Sequence, residues 1–437
     1  MTTLQRILDA IRTSAIGHGV YRMKCLWHRL NASREARRDQ AYIDSIDQRL
    51  EQLKHKKRIT VMIFAMHPAY WHCDSLYKAM AAHERFDVSI VVCGEVQNGM
   101  EVMMKQMEMT CAYLDAKGYP YIRAYDHGRW ADLKTLVNPD IVMYAKPYDG
   151  VMPRQYRMNN FLDRLFIYVP YGLSTVNGAE LCNTRLHAMA WMKIYDSELQ
   201  FSNSALSRGN SRITGSPVVD EFLAQRSCLD ANPWKKMDDE GEGHHKRIIW
   251  APHHSVGGGT LCYSNFLAVA DDMVALAEEY ADRIQVAFKP HPLLREVLYA
   301  HPQWGKERTD DYYRRWDTMV NTQLEQGQYA ALFMTSDAMI HDCASFTAEY
   351  LITGNPVMYL AKGHHESTLN DFGRRAFDLH YKGQTMADIR LFIDDVVCGG
   401  NDPMRPERIS FVNNHLLPRG GRSAAENIIA EILKFER

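Results

Sequence analysis

The stretch Ser336-Asp337-Ala338-Met339-Ile340-His341-Asp342-Cys343-Ala344-Ser345-Phe346-Thr347-Ala348-Glu349 reads as a strand, a turn and the first turn of a helix. AMIH is short and apolar, and it delivers Asp342 to the end of a sheet. SFTAEYLIT has helical spacing and stops at Gly354, a residue suited to the left-handed turn that closes a helix. Ser345 stands where a hydroxyl caps orphan N–H groups, and such a helix start favours an anion. Glu349 lies four residues on, on the same helix face. A phosphate at the helix start with a ribose hydroxyl beside the carboxylate is the arrangement a nucleotide needs. Strand, turn and helix in this order are the unit of a parallel α/β sheet, whose ligands bind beyond the carboxyl ends of the strands.

The unit recurs on both sides. Upstream, RIIWAP runs into His253, His254 and Ser255, then Gly257-Gly258-Gly259-Thr260. Glycines let backbone N–H groups approach a phosphate, and imidazoles can donate to it. IQVAF runs into Lys289-Pro290-His291-Pro292, a turn fixed by two prolines that presents a cation and an imidazole to a diphosphate. Downstream, PVMYL leads into the polar loop HHESTLNDFG, from which Asn370 can reach a ligand. A second series lies nearer the N-terminus: RITVMIFAM, FDVSIVVCG, YPYIRAYD, PDIVMYAKPYDG and RLFIYVPYG, then RITGSPVVDEF as a last strand, turn and helix start. The polar stretch 225–246 separates the two series. The organisation read from this is a basic helical arm over 1–57, an acceptor-side α/β domain over 58–224, a linker or loop over 225–246, a nucleotide-binding α/β domain over 247–415, and a C-terminal helix over 416–437. The fold class is α/β, with two doubly wound parallel-sheet domains facing across a cleft.

The N-terminal series has its own candidates. His67, Trp71, His72 and Asp74 follow its first strand, and Tyr171, Gly172 and Ser174 follow RLFIYVP. A base for an acceptor hydroxyl is expected from these loops, His67 first, then His72 or Tyr171. Tyrosine is a poor base at neutral pH unless its pKa falls far.

Composition sets the outer bounds. The 437 residues exceed one ordinary core. Apolar residues make up 46%, charged residues 24%, and the net charge of −2 gives no reason to expect nucleic acid as a partner. Nine cysteines without a C-x-x-C pair argue against a zinc ribbon or disulfide scaffold and suit a reducing compartment. No metal-ligating cluster is visible. The start lacks the apolar core of a signal peptide, and no apolar run is long enough to span a membrane. Residues 1–57 carry twelve Lys and Arg against six Asp and Glu. Such an arm either packs on the core with a solvated face or lies on an anionic membrane surface.

Taken together, the K-P-H-P turn, the Asp342-x-x-Ser345-x-x-x-Glu349 helix start and the Asn370-x-Phe-Gly loop resemble the CDP-glycerol glycerophosphotransferase family, over about 58–432. These are the teichoic-acid and capsule polymerases that transfer polyol phosphate. The resemblance implies a GT-B-like fold with no cofactor beyond the donor, CDP-glycerol or a related CDP-alcohol. It implies a polyol-phosphate or glycan acceptor, and a cytoplasmic enzyme peripheral on the inner face of the membrane. His291, Ser345 and Glu349 would hold the CDP moiety, and Asp342 matches the family's aspartate. Where the family has Trp-His-Gly-Thr, this chain reads Val169-Pro170-Tyr171-Gly172. Alternatives are a nucleotide-sugar glycosyltransferase of the same fold, a nucleotide-sugar epimerase, and an inert scaffold relative. The product separates the phosphotransferase, which releases CMP, from the glycosyltransferase, which releases a nucleoside diphosphate.

Overall fold

A computed structural model of the chain describes residues 32–97, 99–177, 183–200, 209–226, 232–235, 245–256, 263–327, 329–362 and 368–436. Its N-terminal sheet has seven strands: β1 (Ile59–Ala65), β2 (Phe86–Val92), β3 (Tyr121–Arg123), β4 (Ile141–Tyr144), β5 (Leu165–Tyr168), β6 (Met192–Tyr195) and β7 (Ser211–Ile213), in the order β3-β2-β1-β4-β5-β6-β7. The second sheet has six: β8 (Lys246–Ala251), β9 (Ile284–Phe288), β10 (Thr322–Leu324), β11 (Ala338–His341), β12 (Val357–Leu360) and β13 (Tyr381–Gly383), in the order β10-β9-β8-β11-β12-β13. Every pair in both sheets is parallel, with β1 matched to β2 from Ile59↔Phe86 to Ala65↔Val92. Strands buried on both faces read as unbroken apolar runs, which is why ITVMIFA and IQVAF stood out. In each sheet the strand order reverses beside the first strand. The crevices therefore open between β1 and β4 and between β8 and β11.

Each half buries its own core. In the C-terminal half Trp250 packs on Phe288 (5.0 Å between centroids), Trp316 (5.3 Å) and Phe266 (5.8 Å). The halves also exchange helices. Helix α4 (Pro217–Arg226) ends the first series, yet Val218, Val219 and Phe222 sit in the core under the second sheet, with Phe222 stacked on Phe333 at 5.7 Å. In return, helix α9 (Ala424–Ile432) places Ala425, Ile428, Ile429 and Ile432 in the N-terminal core. The Asp220 carboxylate accepts the backbone N–H groups of Ala424 (2.7 Å) and Ala425 (3.0 Å), fixing the start of α9 alongside its Ser423–Glu426 capping box.

Some sequence readings need adjustment. Trp234, inside the stretch read as a linker, is buried in the C-terminal core, and its indole N–H donates to Thr335 Oγ1 (3.0 Å). The helical part of the arm, 32–44 and α1 (Ile46–Lys54), is docked: Tyr42 stacks on Phe166 at 4.8 Å, and its hydroxyl accepts the Phe166 N–H (3.0 Å). Residues 1–31, the Gly257–Thr260 run and most of 225–246 lie outside the described residues. No helix of the described residues is long and apolar enough to cross a membrane.

Candidate active cleft

The C-terminal crevice gathers the three histidines. His253 and His254 follow β8 and His291 follows β9. Their ring centroids lie 4.2 Å (His253–His254), 5.0 Å (His253–His291) and 4.1 Å (His254–His291) apart. Backbone bonds hold the two loops together: Lys289 N–H donates to Trp250 O (2.8 Å) and His291 N–H to Pro252 O (3.0 Å). Asp342, after β11, accepts the backbone N–H groups of His253 and Asn265. Burial pushes its carboxyl up to about 7 against those two donors. Asp342 thus braces the histidine loop, and both oxygens are already engaged by that role.

One ring nitrogen from each histidine lies within 4.8 Å of the others. The sequence reading found no metal-ligating cluster; folding creates one by joining two loops. Its hydrogen bonds decide which ion it suits. His291 Nδ1 accepts the Leu293 N–H (3.1 Å) and His253 Nδ1 accepts the Ser255 N–H (3.2 Å). In both neutral rings the hydrogen then sits on Nε2, which makes that nitrogen a donor. Donors suit phosphate oxygens and repel a cation. Burial, then His254, His253 and Lys289, hold His291 down to about 2, so it donates as an uncharged ring. His254 is lowered by burial, and its buried Nδ1 has no protein partner.

Lys289 connects this cluster to the domain seam. Burial, opposed by Glu325, lowers its amine to about 8. Its Nζ donates to Gly327 O (3.0 Å) and lies 5.1 Å from the Tyr329 ring centroid. The Tyr329 hydroxyl donates to Glu349 Oε2 (2.8 Å). Glu349, on helix α7 (Phe346–Glu349), is 1% exposed and also bonds the Leu173 backbone of the other half. The ribose-facing role read for Glu349 is therefore not what this arrangement shows: its carboxylate is occupied across the seam. Ser345 is exposed and stands at the N-cap without a side-chain cap bond, its backbone already helical (φ −67, ψ −40), so the expected capping is absent. Asn370 is buried. Its Oδ1 caps α8 (Asp371–Asp378) by accepting the Gly373 N–H (2.7 Å), and its Nδ2 donates to Ser174 O (3.0 Å), so it ties the halves instead of reaching outward.

That tie is extensive. Segment 174–177, after β5, runs antiparallel to 368–370 through a Val176↔Leu369 bridge. Asn177 N–H donates to Thr368 O (2.6 Å), Asn370 N–H to Thr175 O (3.0 Å), and Thr175 Oγ1 to Ala344 O (3.1 Å). Gly373 permits the approach: a Cβ there would lie 2.0 Å from Thr175 O. His72 closes the seam below. It is 6% exposed, its Nδ1 donates to Glu221 Oε2 (2.8 Å), and its ring meets Tyr329 edge-on at 6.0 Å. Burial disfavours the charged ring, but Glu221, Glu349 and the Ala69 backbone outweigh it and raise the pKa.

On the N-terminal wall, His67 Nδ1 accepts the Ala69 N–H (3.1 Å), and burial and then Lys146 lower its pKa. Burial raises Tyr171, against the lowering effect of Lys146. Sequence reasoning missed Tyr70, Glu95 and Lys146 on this wall, and Glu221 and Tyr329 in the seam. Lys146 was legible in principle, as the cation two residues beyond β4.

No protein-family model matches the chain, and no curated protein sequence matches it. Solved structures do. A putative UDP-N-acetylglucosamine 2-epimerase from Listeria monocytogenes is 15% identical, covering 86% of this chain and 96% of its own, with a TM-score of 0.57. The S. aureus MnaA–UDP co-structure is 14% identical, covering 87% and 97%, with a TM-score of 0.56. The wall teichoic acid polymerase TagF, as its H444N variant soaked with CDPG, is 11% identical, covering 92% and 97%, with a TM-score of 0.50. At these identities the likeness concerns architecture alone: the chain has a GT-B-like fold, two parallel-sheet α/β domains with a helical N-terminal region.

Proposed function

We propose that the protein is a transferase that moves a polyol phosphate from a CDP-alcohol to a cell-surface polymer or lipid-linked acceptor and releases CMP. One observation carries this reading: His253, His254, His291 and Lys289 converge at the carboxyl ends of β8 and β9, forming a wall of donors in the C-terminal half. The acceptor hydroxyl attacks the phosphorus distal to cytidine, an O–P bond forms, and the bond to the bridging oxygen breaks, leaving CMP. The transition state spreads charge over phosphate oxygens, so positioned N–H donors lower its energy.

Of the three candidate bases, His72 has its nitrogens engaged by Glu221 and the Ala69 backbone, and Tyr171 is pushed up. His67 is the ring held uncharged; taking the proton at Nδ1 breaks its bond to Ala69. The MnaA structure holds UDP, so a nucleotide-sugar reaction is the second reading. CDP-glycerol, CDP-ribitol and UDP-sugars are to be offered in parallel with an acceptor extract. Release of CMP is the expected result; turnover of UDP-sugars alone overturns it.

A further inference from the structure

The donor reading leaves the opposite crevice, between β1 and β4, without a ligand. Five side chains share it. Lys146, two residues beyond β4, forms an ion pair with Glu95, beyond β2, and the two side chains are only 10% and 6% exposed. Lys146 Nζ lies 3.7 Å from the Tyr70 ring centroid and 5.5 Å from that of Tyr171. The two rings meet edge to face at 5.0 Å, and His67 lies 5.4 Å from Tyr70. Gln97 Nε2 donates to Glu95 Oε2 (3.4 Å).

The charges here differ from those across the cleft. One cation is balanced by one carboxylate at contact distance. A phosphate entering would have to compete with Glu95 for Lys146 while being repelled by the same carboxylate. Two half-buried phenol rings, an imidazole and a paired carboxylate instead offer apolar faces beside groups that give and take hydrogen bonds. This combination suits an uncharged ring bearing many hydroxyls.

We propose that His67, Tyr70, Glu95, Lys146 and Tyr171 form the acceptor site, and that the group it binds is a neutral, hydroxyl-rich sugar or polyol and not a phosphate. This rests on the reading of the cleft as a transfer site and fixes the class of its acceptor.

Saturation-transfer NMR on the full chain tests it with two probes, an uncharged disaccharide containing N-acetylhexosamine and a glycerol-phosphate dimer. The disaccharide binds and the dimer does not. Tyr70→Ala weakens disaccharide binding about tenfold, the size of one lost aromatic contact, while Tyr70→Phe retains it, which separates ring loss from misfolding. Glu95→Gln leaves Lys146 unpaired and brings in binding of the phosphate dimer. Preference of the unaltered chain for the dimer, binding of neither probe, or unchanged affinity in Tyr70→Ala overturns the proposal. The CMP-induced rise in melting temperature is measured beside it. If CMP gives no rise while Tyr70→Ala still loses the disaccharide, the donor reading fails and this site stands.

Discussion

His291 and His72 stand on either side of one cleft under opposite conditions. His291 is packed among two other imidazoles and a lysine, and every neighbour penalises its proton. His72 lies between Glu221 and Glu349, and both favour its proton. The same side chain therefore serves as an uncharged donor on one wall and, in the seam, as a tie whose proton its neighbours favour. Residue type alone assigns neither role; the neighbours supplied by other strands and loops do. The seam is bonded to itself, partly within each half, as Tyr329 to Glu349, and partly across, as Asn370 to Ser174.

The contrast is broken most strongly at the donor wall. His291→Ala removes one fixed N–H donor from the cluster it shares with His253, His254 and Lys289. Turnover of the nucleotide donor should fall by ~100-fold, as for loss of a single oxyanion donor, with the melting temperature little changed. The kinetic constants and a melting curve measured on the same preparation check this. A fall in stability that parallels the fall in rate would move His291 from ligand binding to packing.

This division also explains what was legible in the sequence. Unbroken apolar strands, Gly354 and the prolines of the K-P-H-P turn act through the residues next to them, so the two α/β series and the histidine loops were readable. Glu349, Asp342 and Asn370 have their partners about 20, 77 and 196 residues away. Nothing local in the chain marks those partners, so the internal bonds these side chains make could not be read from the sequence. Glu95 was overlooked for the same reason: its pairing with Lys146 exists only once β2 and β4 lie in one sheet. Short strands such as Thr322–Leu324 have too few residues to show a pattern.

The seam has its own point of failure. Gly373→Ala places a methyl group against the Thr175 carbonyl, 2.0 Å away in the present geometry. The 174–177 segment must then shift off α8, at a cost of about 2 kcal/mol, within the range for overpacking. Chemical denaturation measures the loss, and small-angle scattering should show the halves farther apart. The histidine cluster, built within one half, should still bind CMP. If CMP binding falls as far as stability, the two regions are not independent.

The smallest effect is also the sharpest test of the contrast, because the two histidines give opposite signs. His72 has a raised pKa in the folded chain, so its contribution is fully present below the unfolded value near 6.5 and is lost as pH rises through the folded value. His291 has a depressed pKa, about 2. The unfolded chain therefore takes up its proton first on acidification, and stability falls as pH drops below about 6.5. His72→Gln should flatten the alkaline limb of a melting-temperature profile and leave the acid limb in place, and His291→Gln should do the reverse. Each change should amount to roughly 1–3 °C for a chain of this size. Both substitutions flattening the same limb would mean that the charge assignments, and with them the division between donor wall and seam, are wrong.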